Sequence, residues 1–178
     1  MSKEILIQHL KTEIGELTVG VFEERICLCD WRYRKKRKEI DKRIQDGLQA
    51  IFVERKSNIH SELELQIKEY IKGERNTFTL PIGFVGSPFQ VSVWKALLNI
   101  PYGITKSYLD LSKELGNPKA IRAVASANGA NAISIIVPCH RIIGSNGELT
   151  GYAGGLKAKQ RLLEIENALL PKEQLSLF

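Results

Sequence analysis

Apolar and polar residues alternate over 17–22 and again over 26–31, on either side of Glu23-Glu24, which predicts two strands joined as a β-hairpin. Cys27 and Cys29 stand two apart in the second run, so a regular strand would put both on one face. A helical period appears over 61–72, where Leu63, Ile67, Tyr70 and Ile71 form an apolar stripe that Gly73 stops. Residues 78–81 return as an extended segment. The order strand, strand, helices, strand predicts a small α/β unit, and Gly83-Phe84-Val85-Gly86 reads as its link to the second half of the chain.

That second half is punctuated more clearly. Ser87-Pro88-Phe89-Gln90 is a capping box with proline at the first helical position, launching a helix through Trp94 and Leu98 to Pro101. Ser107 caps a second helix that ends at Gly116, and Asn117-Pro118 caps a third over 119–128 that ends at Gly129. Two short helices on a tight glycine-containing turn predict a helix-turn-helix. Its second helix carries Ala120, Ala123, Ala125, Ser126 and Ala127, a surface of small residues with one long cation, Arg122. The apolar run 133–137 reads as a buried strand, cut by Pro138, which cannot donate to a ladder. The expected architecture is α/β (α+β), with an N-terminal α/β unit over 1–84 and a mostly helical unit over 85–178.

Composition narrows this only a little. The chain has 178 residues, 43% hydrophobic and 26% charged, which is ordinary for a soluble globular protein. No apolar run approaches a membrane span, and Met1-Ser2-Lys3-Glu4 does not start a secretory signal. Three cysteines without pairing-like spacing point to a reducing, cytoplasmic setting. The net charge of +6 permits nucleic-acid binding without requiring it. Residues 32–43 hold eight basic side chains against two acids and read as a solvated helix face. Cys27 and Cys29 lack a third and fourth ligand at metal-site spacing, since His9 and His60 are isolated, so they read as core cysteines and no metal or other cofactor is expected.

The candidate chemistry lies at Pro138-Cys139-His140-Arg141. A thiol beside an imidazole at the end of a buried run suits nucleophilic work, because the thiolate attacks and the imidazole can take its proton. A free thiol is only about 3% ionised at pH 7, so full ionisation gains roughly 30-fold. A nearby base is therefore more useful than an extreme cationic pocket. In the C-terminal helix Leu162, Leu163, Leu169 and Leu170 form an apolar stripe with Glu166 in its middle. A carboxylate on a buried face needs a partner. Arg141, a lysine and His140 are the candidates.

Pro138-Cys139-His140-Arg141 followed by Gly151-Tyr152-Ala153-Gly154-Gly155-Leu156, with Asn117-Pro118-Lys119-Ala120-Ile121-Arg122-Ala123-Val124 upstream, resembles the O6-alkylguanine-DNA alkyltransferases over residues 87–166. The resemblance implies a ribonuclease H-like first unit and a winged-helix-like second one. It also implies DNA repair by direct reversal in a single turnover: Cys139 takes the alkyl group of O6-alkylguanine, with O4-alkylthymine a further candidate, from a base flipped out of duplex DNA. It assigns Cys139, His140 and Glu166 as a relay, Asn131 as the brace of the active-site turn, and Tyr108 as a donor to the guanine ring. DNA contact falls to Ser107, Tyr108, Ala120, Arg122 and Ala123, with Arg122 intercalating. Ile142, Tyr152, Ala153 and Gly154 match the pocket for the base. Some relatives bind zinc in the first unit, which Cys27 and Cys29 alone do not reproduce. A monomer acting on double-stranded DNA is expected. Three other readings stay open: a non-catalytic protein that recognises alkylated DNA, a helix-turn-helix regulator, and a cysteine hydrolase.

Overall fold

The computed structural model describes residues 1–168. Its first half is a four-stranded sheet in the order β3-β2-β1-β4. Strands β1 (Lys3–Thr12), β2 (Gly15–Phe22) and β3 (Arg25–Trp31) run antiparallel, and β4 (Ala50–Glu54) pairs parallel with β1. The hairpin expected around Glu23-Glu24 is β2-β3. Both turn residues take positive φ (46° and 63°), as a type I′ turn requires to match the strand twist. Strands β1 and β4 are not announced by the hydrophobic pattern. Only Ile5 and Leu10 of β1, and only Ala50 of β4, are buried, so their alternation is weak.

Two helices cover the sheet. On one face α1 (Arg37–Leu48) packs Ile40 and Ile44 against Ile5, Leu28 and Ala50. On the other, α2 (Asn58–Ile71) packs Leu63, Ile67 and Tyr70 against Leu17, Val19 and Ile26. The sheet decides the fate of the two cysteines. The register of β3 against β2 shifts by one residue between Gly20 and Val21, a β-bulge. That extra residue reverses the alternation. Cys27 therefore joins the α1 side and Cys29 the α2 side, where a regular strand would have aligned them. Both are buried free thiols, and no cluster of metal-ligating side chains occurs among the described residues.

The second half has α3 (Pro88–Leu98), β5 (Lys106–Ser107), α4 (Tyr108–Glu114), α5 (Ile121–Gly129), a 3-10 turn Cys139–Arg141, β6 (Ile142–Ile143) and α6 (Leu156–Ile165). Ser87 and Gln90 form the expected capping box, and Ser107 caps α4 by accepting from the Asp110 N–H at 3.0 Å. Asn117 does not cap α5. Its side chain accepts from the Lys119 N–H and its carbonyl from the Ala120 N–H, which closes a turn and delays the helix to Ile121.

The apolar run 133–137 is buried but is not a strand. Cys29 N–H donates to Ala132 O at 2.8 Å, Ser134 N–H to Cys29 O at 2.7 Å, and the chain then turns away with Val137 N–H bonded to Ile133 O. Ile135 sits at φ +72°, a strained conformation for a β-branched residue that continuous pairing would not allow. The edge of β3 is thus covered by two short segments, this one and the stretch whose Pro81 carbonyl accepts from Ile26 N–H. One apolar core runs through both halves, joining Tyr70 of α2 to Trp94, Leu111, Val124, Val137 and Leu162.

Candidate active site

The site begins with the turn after α5. Asn131, 2% exposed, donates from Nδ2 to Val137 O at 3.0 Å and accepts at Oδ1 from Ile133 N–H at 3.0 Å. Those two bonds span the turn and hold Ile135 in its strained state. Pro138 then lets the chain enter one 3-10 turn, which carries Cys139, His140 and Arg141. Pairing of β6 with β5 sets Ile142 opposite Lys106 and Ile143 opposite Ser107, which draws the start of α4 towards the same place.

Glu166 is the carboxylate at the centre, but not in mid-helix. Helix α6 ends at Ile165 in a Schellman motif: Asn167 takes φ +57°, its N–H bonds Glu164 O, and Ala168 N–H bonds Leu163 O. Glu166 is the C-cap residue, and Leu169 and Leu170 of the expected stripe lie outside the described residues. Its carboxylate takes both kinds of partner that the sequence offered. Nε2 of His140 bonds Oε1 at 2.8 Å, and Arg141 donates from Nε to Oε2 at 2.9 Å and from Nη2 to Oε1 at 2.9 Å. The Gly103 N–H adds a bond to Oε2 at 3.2 Å, and the Tyr70 hydroxyl one to Oε1 at 2.5 Å. Gly103 stands at φ +79°, and a Cβ there would meet Glu166 O at 3.0 Å, so the close approach needs glycine.

This network sets protonation. Burial would raise the Glu166 carboxyl, but the donors on His140, Arg141 and Tyr70 hold it well below the usual carboxylate range. Burial lowers His140, Glu166 opposes it in part, and the charges on Arg141 and Lys159 lower it further, so the resting imidazole is neutral. With Nε2–H given to Glu166, Nδ1 carries the free lone pair. It is buried without a hydrogen-bond partner among the described residues. Burial pushes the Cys139 thiol up, opposed in part by the Asn131 side chain and by the charges on Lys159 and Arg34. Lys159 is itself wholly buried, donates from Nζ to Thr150 O at 2.8 Å, and is lowered by burial to about 8.

Cys139 opens on a cleft of about 1110 Å³ between the β3–α1 connection, α5 and the loop 151–155. Tyr152 and Trp31 meet edge to face at 5.8 Å. Gly154 lies against the same indole, where a Cβ would come within 2.4 Å of the ring, so no larger residue fits without displacing Trp31. Tyr108, half-buried, lines the cleft, and its hydroxyl accepts from Thr150 Oγ1 at 3.4 Å. Ala153 also lines it, whereas Ile142 is fully buried in β6. On α5, Arg122 and Ala123 are exposed and Ala120 is the half-buried N-cap residue. Arg122 makes no ion pair with any described residue.

The basic stretch 32–43 is only in part the solvated face that its charge suggested: Lys35, Lys36, Lys38 and Lys42 are exposed, whereas Arg34, Arg37 and Arg43 turn inward. Asp30, fully buried, binds Arg34 at 3.0 Å and Arg37 at 2.9 Å and accepts from Ser134 Oγ at 3.2 Å. Arg34 goes on to Gly129 O at 2.6 Å and Asn131 O at 3.3 Å, and Arg43 to Ala130 O at 2.9 Å. These guanidinium groups satisfy carbonyls left open at the end of α5, and so tie β3 to the turn before Cys139. Lys35 and Lys36 remain exposed at the rim of the cleft.

A family model for the DNA-binding domain of 6-O-methylguanine DNA methyltransferase matches residues 88–168. The inducible methylated-DNA–protein-cysteine methyltransferase of Bacillus subtilis is 51% identical over 102 residues, a match that spans 57% of this chain and 57% of that protein. The methylated-DNA–protein-cysteine methyltransferase of Methanosarcina barkeri is 41% identical over 157 residues, 88% of this chain and 94% of its own length. The chain belongs to the methylated-DNA–protein-cysteine methyltransferase family. The crystal structure of Mycobacterium tuberculosis OGT in complex with DNA, 35% identical, superposes with a TM-score of 0.76 over 93% of both chains. The mixed α/β fold described above is therefore the fold of these methyltransferases.

The structure brings Cys139, Asn131 and the loop 151–155 to one cleft, with His140 buried next to Cys139 in the chain and bonded to Glu166. The sequence motifs miss Tyr70, Trp31, Lys159 and Arg34. Tyr70 and Trp31 belong to apolar patterns, so they read as core. Lys159 carries no sequence signal, because a lysine in an amphipathic helix reads as solvent-exposed.

Proposed function

We propose that Cys139 is the alkyl acceptor in DNA repair by direct reversal, acting once per chain on O6-alkylguanine in double-stranded DNA. What carries the reading is the His140 imidazole: Nε2 is committed to Glu166, and Nδ1 is left as a lone pair one residue from the thiol. The Cys139 proton passes to Nδ1, directly or through a water, and Sγ attacks the alkyl carbon. The S–C bond forms as the C–O6 bond breaks, and the electron pair leaves on guanine. Tyr108, at the cleft wall, donates a proton to the ring so that neutral guanine departs, and solvent restores the phenol. A thioether is not reversed by cellular thiols, so the chain is spent. A single chain supplies every group named, which suits a monomer, and three unpaired thiols suit the cytoplasm. O4-alkylthymine is a second substrate of the same chemistry.

The target base is out of reach inside a duplex, and turning it out costs a few kcal/mol. Arg122, exposed on α5 and without an ion pair among the described residues, is long enough to fill the vacated space. The test is mass spectrometry after incubation with an O6-methylguanine duplex. One methyl group on the Cys139 peptide, at one per chain and with no second round, is expected. Sustained turnover or an unmodified Cys139 peptide would exclude this reaction. Arg122→Ala is expected to slow transfer from the duplex by about 10-fold or more, while transfer from free O6-benzylguanine stays within about 2-fold. Equal losses on both substrates would place Arg122 in the chemistry or the fold.

A further inference from the structure

Tyr70 belongs to α2, in the half of the chain that the family match over 88–168 does not reach, yet its hydroxyl ends inside the relay. It donates to Glu166 Oε1 at 2.5 Å and lies 3.4 Å from His140 Nε2. The residue is 0% exposed, and its ring is held by Phe78 at 5.5 Å and Tyr102 at 6.1 Å, so the hydroxyl is fixed where it is. The phenol stays protonated, because burial and the Glu166 charge both push its pKa up. It is a permanent donor.

Titratable and charged groups act on this carboxylate or on the imidazole it holds from four directions. His140 and Arg141 come from the 3-10 turn, Tyr70 from α2, Tyr102 from the segment after α3 and Lys159 from α6 itself. Tyr102 gives its hydroxyl to Ile165 O rather than to the carboxylate, and Lys159 gives its ammonium to Thr150 O. Arg141 spreads over both carboxylate oxygens and Gly103 binds Oε2. Tyr70 is therefore the one neutral side chain among the described residues that shares Oε1 with the imidazole. Donors on one oxygen draw on the same electron density, so each weakens the acceptor for the next.

We propose that Tyr70 is a positioning residue for alkyl transfer: by occupying Glu166 Oε1 it limits how strongly Glu166 favours imidazolium, and so keeps His140 Nδ1 an unprotonated base at neutral pH. The inference rests on Cys139 being the acceptor. Without the phenolic bond, Oε1 turns wholly to His140 and Arg141, the imidazolium is better stabilised, and the imidazole holds its proton to higher pH. A base that is protonated cannot take the thiol proton. The acid limb of the transfer rate then moves up the pH scale.

The experiment is single-turnover transfer from free O6-benzylguanine, measured from about pH 5.5 to about 9, with thermal unfolding on each protein. Tyr70→Phe keeps the ring and its packing. It is expected to raise the acid limb by about 0.5–1 pH unit, which is roughly a 3- to 10-fold loss of rate on that limb and little loss near pH 9. Incorporation of 3-fluorotyrosine at position 70 makes a more acidic phenol, hence a stronger donor, and is expected to move the limb the other way. Opposite shifts from weakening and strengthening one donor are not produced by a packing role. A limb at the same pH in wild type and both variants overturns the proposal, as does a uniform slowing at every pH. Should Tyr70→Phe fail to fold, the fluorotyrosine protein retains the hydroxyl and its shift decides alone. Wild type that never alkylates Cys139 would instead defeat the assignment of the acceptor, and is recognised before any variant is compared.

Discussion

Replacing Cys139 by alanine abolishes alkyl transfer and leaves binding of an O6-methylguanine duplex within a few-fold; that is the expected result with the largest effect. No other thiol can substitute. Cys27 is buried on the α1 side of the sheet with its pKa pushed up by burial to about 12, and burial pushes Cys29 still higher. Neither gives a useful thiolate population, because the thiolate is the nucleophile. Loss of one sulfur atom at a 4% exposed position costs roughly 1 kcal/mol, the scale of a small buried truncation, so the fold survives. On the proposed reading, duplex contact runs over α5 and the cleft rim, to which the thiol adds little area. Transfer by mass spectrometry and binding by fluorescence anisotropy check the two halves separately. An alkyl group found on another residue, or binding lost in step with transfer, would show that Cys139 is structural.

Glu166→Gln is expected to act on stability and rate together, because the carboxylate serves Arg141 and His140 at once. An amide keeps the shape but is neutral, and its NH₂ must face a donor. Arg141 is 8% exposed, so it is left as a buried cation without its counter-charge. Removal of one member of such a pair costs about 3–5 kcal/mol, a large share of the roughly 5–15 kcal/mol that holds a domain folded. The Glu166 carboxyl is depressed in the folded protein. Its stabilisation is thus present above the ordinary carboxyl pKa of about 4.3 and is lost as pH falls towards the folded value. The stability gap between wild type and variant is therefore widest near neutral pH and narrows below about pH 4.

The rate follows a different logic. With an amide at 166 the imidazole loses its anionic anchor, and Nδ1 is no longer held as the lone-pair side of the ring. Transfer per folded molecule is expected to fall by about 10-fold or more at pH 7, the lower range of general-base effects. It should recover in part at alkaline pH, as the thiol ionises unaided. Burial raises the Cys139 pKa, so that recovery is displaced above the range of a free thiol. Rate against pH and thermal unfolding on the same protein separate the two roles. A variant that is less stable but has an unchanged rate profile would remove the Glu166–His140 link from the mechanism and leave Glu166 only its structural role towards Arg141.

Much of the path to this site was legible along the chain. The β2-β3 hairpin, the capping box at Ser87 and Gln90, the Ser107 cap and the stop at Gly116 depend on residues within four positions of one another. Such signals survive without tertiary context, since they come from local sterics and local hydrogen bonds. The family was legible on other grounds, the resemblance of Pro138-Cys139-His140-Arg141 and Gly151-Tyr152-Ala153-Gly154 to motifs of known alkyltransferases. Local reading failed where a long-range partner changed local geometry. One inserted residue at the Cys27 bulge reversed a face, and bonds from Asn131 and β3 turned the apolar run 133–137 into a strained loop.

The sequence by itself determined the β2-β3 hairpin, the capped helices of the second half, the thiol–imidazole pair at 139–140, and the need of Glu166 for a partner. Only the tertiary structure decided what that partner is. The donors on the carboxylate come from positions 70, 103, 140 and 141, brought together by a core in which Tyr70, Ile100 and Leu162 pack as one. No periodicity links those positions, because they lie on separate segments that meet only when apolar surface is buried. The same burial removes competing water, which turns four separate donors into one electrostatic unit and leaves a weakly basic, neutral histidine next to Cys139.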